Sequence, residues 1–349
     1  MTKTYNNLLP QIYAFESLYK AYRKARLGKR GRTAVMKFEQ NLEGNLLQLQ
    51  QQLIDGTYQT GRYHRFSIFE PKEREAASLP FRDRVLQHSL CAAIEPIWEN
   101  RFISDSYACR PGRGMHRGAD NTQLMLQKVQ REHGHIFVLK ADVSKYFANI
   151  DHGVLKRLLR RHIACPQTLA LCDHILASSI NHVIPVSKGL PIGNLTSQLW
   201  ANIYLNALDQ YVKHELKCRH YSRYMDDFVI AHPDKQELQI LRSKIEYFLN
   251  QTLCLKTNSK TQIFPVALKN GRGLDFLGYH LWPTHRRLRK ASISRIAKTL
   301  KRLQKEYSTG KIGLKDIRQS LISWIAHASH CQSYGLRDKL LNAFIFARK

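Results

Sequence analysis

Apolar residues recur along the chain with two periods, and those periods lay out most of the elements. Val35, Phe38, Leu42, Leu46, Leu49 and Leu53 alternate steps of three and four, which predicts one helix over 35–54, closed by Asp55-Gly56. Val85, Leu86, Leu90, Ala93, Ile94 and Ile97 predict a helix over 83–99, and Ala201, Leu205, Leu208, Val212 and Leu216 share one face of another. Residues 64–70 (HRFSIFE) read as a strand halted by Pro71. The run IFVLKAD, 136–142, is short, continuous and apolar up to its acid, the pattern of a buried strand. HYSRYMDDFVIA, 220–231, reads as two short strands around an acidic turn. Pro283 is expected to close the last strand, leaving a helical tail in which Ile293, Ile296, Leu300 and Leu303 form one apolar stripe. A helical start, a mixed middle and a helical tail predict an α/β (α+β) chain whose tail is a small separate domain.

Composition sharpens this. The chain has 349 residues, 43% of them hydrophobic and 10% aromatic, enough for a sizeable core and too apolar for a disordered chain. Lys and Arg number 55 against 27 Asp and Glu, a net charge of +28. Residues 20–32 carry seven of these cations and 284–305 nine, with no acid in either run. A field of that size attracts polyanions; the stripe in the second run also fits a membrane-surface helix, but with no lipidation motif nucleic acid is the better reading. The seven cysteines are scattered and never form a CxxC pair, which excludes a disulfide scaffold, and no Cys/His spacing resembles a structural zinc site. No apolar run approaches the roughly 20 residues of a membrane span. The opening MTKTYNNLLPQIYAFE lacks a basic-then-apolar leader, so a cytoplasmic protein without a membrane partner is expected.

Three acids stand where acids are costly. Asp142 ends an apolar strand, and Asp226-Asp227 occupy the turn between two others. Buried carboxylates need partners or metal, and adjacent ones raise each other's pKa unless a cation neutralises them. Two Mg²⁺ ions about 3.5–4 Å apart would do so. An Asp-Asp pair alone would read as an ordinary turn, but here it lies in Tyr224-Met225-Asp226-Asp227, the YxDD box, and other boxes accompany it in order. Lys72-Glu73-Arg74 and Arg82-Asp83-Arg84 with Gln87 come first, then Tyr107-Ala108-Cys109-Arg110-Pro111-Gly112-Arg113-Gly114. Asp142-Val143-Ser144-Lys145-Tyr146-Phe147 follows, then Gly189-Leu190-Pro191-Ile192-Gly193-Asn194-Leu195-Thr196-Ser197-Gln198, Lys260, and Phe276-Leu277-Gly278-Tyr279. Over about 64–283 this order resembles the reverse transcriptase family.

The resemblance implies a right-hand polymerase with fingers and palm, an antiparallel palm sheet flanked by helices, and a small helical thumb. Its ranges would be 1–60 for a basic helical extension, 61–283 for fingers and palm, and 284–349 for the thumb, with no room for a ribonuclease H or endonuclease domain. It implies Asp142, Asp226 and Asp227 as the catalytic acids, which with Val143 hold two Mg²⁺ ions. Nucleotide contacts would fall to Lys72, Arg74, Phe147 (which excludes a 2′-hydroxyl), Ile192, Gly193, Gln198 and Lys260. Primer and template would meet Tyr224, Met225, Arg110, Phe276, Leu277, Gly278 and Tyr279. Two departures stand out. Glu75 follows Arg74 where the family usually has an apolar residue. Ile192-Gly193 and Ser197-Gln198 stand where most members have Gln-Gly and Ser-Pro. The latter version looks like the enzymes of diversity-generating retroelements, a bacterial or phage-encoded subgroup similar to group II intron enzymes. That implies error-prone copying of a template-repeat RNA at adenines, with dNTPs, a DNA or RNA primer and a basic, ring-forming accessory variability protein. Retron, group II intron-like and phage-defence enzymes are related alternatives, and a non-catalytic RNA-binding module is one of a different class.

Overall fold

The computed structural model describes residues 3–69, 73–178, 187–267 and 271–348. Its contacts divide the chain into two compact units: Met1–Arg110, Asp142–Lys217 and Ser243–Lys260 in one, and Pro111–Ala141, Cys218–Arg242 and Thr261–Lys349 in the other.

The first unit is built on the helix Phe81–Glu99, which packs against Phe15–Ala25 and Leu195–Gln210. Val85, Leu86, Leu90 and Ile94 are fully buried on it, the face its spacing predicts. The stretch 35–54 is two helices, Thr33–Glu39 and Leu42–Ile54, rather than one. Asn41 breaks the run in a non-helical conformation, and the Asn45 side chain donates to the Phe38 carbonyl at 3.0 Å, satisfying a group the broken helix leaves open. The strands β1 (His64–Ile68) and β2 (Arg74–Ser78) form an antiparallel hairpin. Glu75 is exposed there and pairs with Arg65 at 2.7 Å, which accounts for a charge where an apolar residue was expected.

In the second unit β3 (Phe137–Asp142), β4 (Tyr221–Tyr224), β5 (Asp227–His232) and β6 (Gln262–Pro265) form one sheet in the order β4-β5-β3-β6. The last residue of β3 is where the chain passes into the first unit. The pairs β4–β5 and β3–β6 are antiparallel. A second antiparallel sheet holds β7 (Leu274–Phe276), β8 (Tyr279–Leu281) and β9 (Arg286–Leu288). Leu126 and Val129 of the helix Met115–His133 pack with Val138, Val229, Phe276 and Leu281 in one core. Pro283 does not end the strands: it sits in a tight turn, closed by Trp282 N–H to His285 O at 2.8 Å, that leads into β9. Arginines conceal β9 in the sequence, although Leu288 is buried.

The tail forms the helices Lys290–Ser308, Leu314–Ala328 and Tyr334–Asn342. Ile296, Leu300 and Leu303 are buried and Ile293 is partly so, while Arg295, Lys298, Lys301, Arg302 and Lys305 are exposed. Among the described residues no helix is long and apolar enough to cross a membrane. The α+β architecture, antiparallel sheets flanked by helices, matches the expectation.

Truncating Leu126, fully buried, to Ala is expected to cost about 2–5 kcal/mol by urea unfolding, while Leu124→Ala on the exposed face of the same helix stays within about 0.5 kcal/mol.

Candidate active site

The β4–β5 register pairs Tyr224 with Asp227, so Met225 and Asp226 form a two-residue turn. Met225 adopts φ +56°, a left-handed conformation that an unbranched side chain tolerates and a β-branched one would not. Arg223 beneath it is fully buried and donates Nη1 to the Met225 carbonyl at 2.9 Å, so a charged hydrogen bond holds the strained turn. Asp226 and Asp227 stay half-buried. β5 neighbours β3, and Lys140 on β3 places Nζ 3.9 Å from Asp227 Oδ2 while donating to the Asp275 carbonyl at 2.6 Å. The Thr122 and Ser222 hydroxyls, 2.8 Å apart and buried, tie the helix Met115–His133 to β4.

In the first unit Asp142 is half-buried; its carbonyl accepts from Asn258 N–H at 2.6 Å and its Oδ2 lies 3.4 Å from Asn258 Nδ2. Val143 is buried and apolar, so its carbonyl is its only donor toward a metal. Phe147 is half-buried and accepts from Leu190 N–H at 2.7 Å, which brings the Gly189 loop to it. Buried His152 holds that loop from the other side, with Nε2 2.8 Å from Gly189 O. Ile192 is half-buried; its carbonyl accepts from Ala77 N–H at 2.8 Å, stitching the loop to β2. Gly193, at φ +122°, is required: a Cβ there would lie 2.5 Å from Ala77 O. Gln198 is exposed on the first turn of Leu195–Gln210. Lys260 is exposed, its N–H bound to Asn258 Oδ1 at 3.0 Å. Phe147, Ile192, Gly193 and β2 are thus joined within one unit. Lys72 and the side chain of Arg74 lie outside the described residues.

Phe276 and Tyr279 pair across a turn whose central residues Leu277 (φ +52°) and Gly278 (φ +86°) are both left-handed, as a tight hairpin of this twist demands. Phe276, Leu277 and Tyr279 are buried, so the turn presents its backbone rather than those side chains. The Tyr279 hydroxyl donates to His327 O at 2.9 Å and lies 3.0 and 3.1 Å from Nδ1 of His116 and His327. The His116 and His330 rings stack at 3.7 Å.

Arg110 is corrected. Its side chain is 4% exposed and pairs with Glu99 at 2.9 Å, while Nη1 donates to the Ile103 and Ser106 carbonyls at 2.7 and 2.8 Å. It clamps the first unit's fold and is not offered to nucleic acid. Sequence reasoning missed Asn258, Lys140, Arg223 and His152, whose partners lie 37 to 135 residues away or, for Arg223, in the backbone of its own turn.

The donor set suits a hard divalent cation. Carboxylate oxygens are what Mg²⁺ prefers, and two half-buried acids stand on adjacent residues here. Among the described residues no three or more His, Cys, Asp or Glu side chains gather as a metal cluster. Asp226 and Asp227 belong to the second unit and Asp142 to the first.

The profile of the family described as reverse transcriptase (RNA-dependent DNA polymerase) matches residues 70–281. Protein YkfC of Escherichia coli K12 is 30% identical over 273 residues, 67% of this chain and 70% of YkfC. The group II intron-encoded protein LtrA of Lactococcus lactis subsp. cremoris is 29% identical over 221 residues, 60% of this chain and 35% of LtrA. The chain therefore spans about a third of LtrA's length. Among solved structures, apo telomerase from Candida tropicalis, truncated from its C-terminal domain, aligns with a TM-score of 0.48 at 10% identity over 66% of this chain and 55% of that one.

Arg110→Met is expected to destabilise the chain by about 1–3 kcal/mol, by leaving Glu99 and two carbonyls without their donor. The salt slope of its RNA binding should stay unchanged, because no phosphate contact is lost. Burial holds His116 and His327 below the usual histidine range, each pushed further by neighbouring histidines. The unfolded chain therefore binds their protons more readily. Stability is full above the unfolded value of about 6.5 and falls as pH drops below it. A melting series from pH 7.5 to 5.5 should show that fall, and His327→Gln should flatten it.

Proposed function

We infer the finer function from one premise: the chain belongs to the reverse transcriptase family and is an RNA-directed DNA polymerase with the right-hand polymerase fold. The polymerase is that of a diversity-generating retroelement, making adenine-mutagenic cDNA from a template-repeat RNA. The observation that carries this reading is Ile192-Gly193, pressed against β2 by the Ala77 contacts. A glutamine there offers the incoming nucleotide a hydrogen bond; the half-buried isoleucine offers none, so right and wrong pairs differ less in energy.

In this reading Asp142, Asp226 and Asp227, with the Val143 carbonyl, hold two Mg²⁺ ions. When bound, such ions would supply the activation of the attacking primer oxygen and the stabilisation of the leaving one. Lys72 and Arg74 clamp the triphosphate, Lys260 supplies a proton to departing pyrophosphate, and Phe147 excludes a 2′-hydroxyl. Gly193 and Gln198 line the nucleotide site. Tyr224, Met225 and the 276–279 turn seat the primer end. Residues 61–283 are fingers and palm, 284–349 the thumb and 1–60 a basic extension, working in the cytoplasm with a structured RNA and a basic accessory ring. A second reading, a group II intron-like enzyme, is favoured by the similarity to LtrA, which would predict accurate copying.

Primer extension on an RNA template, followed by sequencing of the product, tests both. Asp226→Asn/Asp227→Asn is expected to abolish extension, and wild-type errors to concentrate opposite template adenines. Ile192→Gln should lower those errors about 10-fold, the worth of roughly one hydrogen bond. Accurate wild-type copying would favour the intron-like reading. If the protein extends nothing even with its RNA and accessory protein, it is a binding module.

A further inference from the structure

Beyond the end of β3 the chain makes one more pairing. Val143 bridges Thr257 in antiparallel register, with Ser144 N–H donating to Lys256 O at 2.9 Å and Asn258 N–H to Asp142 O at 2.6 Å. That register sets Asn258 directly opposite Asp142. Opposite residues project from the same face with Cβ atoms about 4.5–5.5 Å apart, within reach of two short polar side chains. Accordingly Asn258 Nδ2 lies 3.4 Å from Asp142 Oδ2. The other end of the same amide is also engaged: Oδ1 accepts from Lys260 N–H at 3.0 Å and Ser259 Oγ at 3.3 Å. The segment is pinned from behind by Thr257 Oγ1, which donates to Glu246 Oε1 at 2.9 Å.

A turn at 258–260 needs only Oδ1. The direction of Nδ2 is therefore informative, because it aims the amide's donor at a carboxylate oxygen. A lysine or arginine there would orient Asp142 equally well, but its charge would oppose a divalent cation. A neutral amide restrains the carboxylate without that competition and occupies one of its several acceptor positions. The same side chain sets the backbone at Lys260.

We propose that Asn258 is a positioning residue: its amide holds the Asp142 carboxylate in the orientation that receives the cation and ties that acid to the Lys260 turn. This rests on the reading of Asp142 as a metal-holding acid. Removal of a group that orients a metal ligand typically costs 10–100-fold in metal affinity or activity.

Mn²⁺ binding, followed by the electron paramagnetic resonance of free Mn²⁺, tests it on the full chain with RNA template and a chain-terminated primer. Asn258→Ala is expected to weaken Mn²⁺ binding about 10-fold. In parallel extension assays the Mg²⁺ needed for half-maximal rate should rise in step, with a smaller change in rate at saturating Mg²⁺. Asn258→Ser retains an oxygen for the Lys260 N–H but is too short to reach Asp142, and should show the same shift with wild-type melting. Wild-type Mn²⁺ affinity in either folded variant would overturn the proposal, as would a failure of Asn258→Ser to fold, which would assign the residue to the fold. Asp142→Asn separates the two claims: unchanged Mn²⁺ affinity there would remove the reading on which the proposal rests, whereas its loss beside a normal Asn258→Ser would remove the proposal alone.

Discussion

An acid at the end of a buried apolar strand is the constraint on which the rest of this molecule depends. A desolvated carboxylate costs several kcal/mol unless neighbours supply charge or hydrogen bonds. Each acid is met in its own way. Asp227 has the Lys140 ammonium 3.9 Å away, and Asp142 has the neutral amide of Asn258. Asp226 sits on a turn whose left-handed Met225 is held by the buried Arg223. All three supports are side chains carried on the sheet or its immediate extension, so the strand pairing that brings distant segments together also holds the acids.

How much of this was legible in the sequence depended on the range of the interactions. Periodicity is local, so the helix Phe81–Glu99, β3 and the β4–β5 hairpin could be read directly. The break at Asn41 is hidden because the apolar spacing continues across it; the non-helical backbone of Asn41 and the Asn45–Phe38 hydrogen bond show where the helix stops. β9 was hidden by arginines that look like a solvated charge run until pairing with β8 buries Leu288. Arg110 matched a motif by position, but motif position is silent about Glu99 eleven residues upstream, which takes its guanidinium. Asn258 could not be seen at all, because its role comes from a register between segments 116 residues apart.

The charge of the chain and its architecture fit together. The tail buries Ile296, Leu300 and Leu303 and turns Arg295, Lys298, Lys301 and Arg302 outward, so one helix serves both the core and a basic surface. In the first unit Lys20, Arg23, Lys24, Lys29, Arg30 and Arg32 are likewise exposed. Cations on helices with apolar backs are suited to the phosphates of a polyanion, contacts that carry no sequence information.

The central claim is that Asp142, Asp226 and Asp227 share the cations that carry the chemistry. The most direct measurement is anomalous scattering from Mn²⁺ in crystals of the chain with RNA template, chain-terminated primer and incoming nucleotide. The account predicts Mn²⁺ peaks within coordination distance of all three carboxylates and of the nucleotide phosphates. Peaks held without Asp142, or lying away from the Asp226-Asp227 turn, would contradict it.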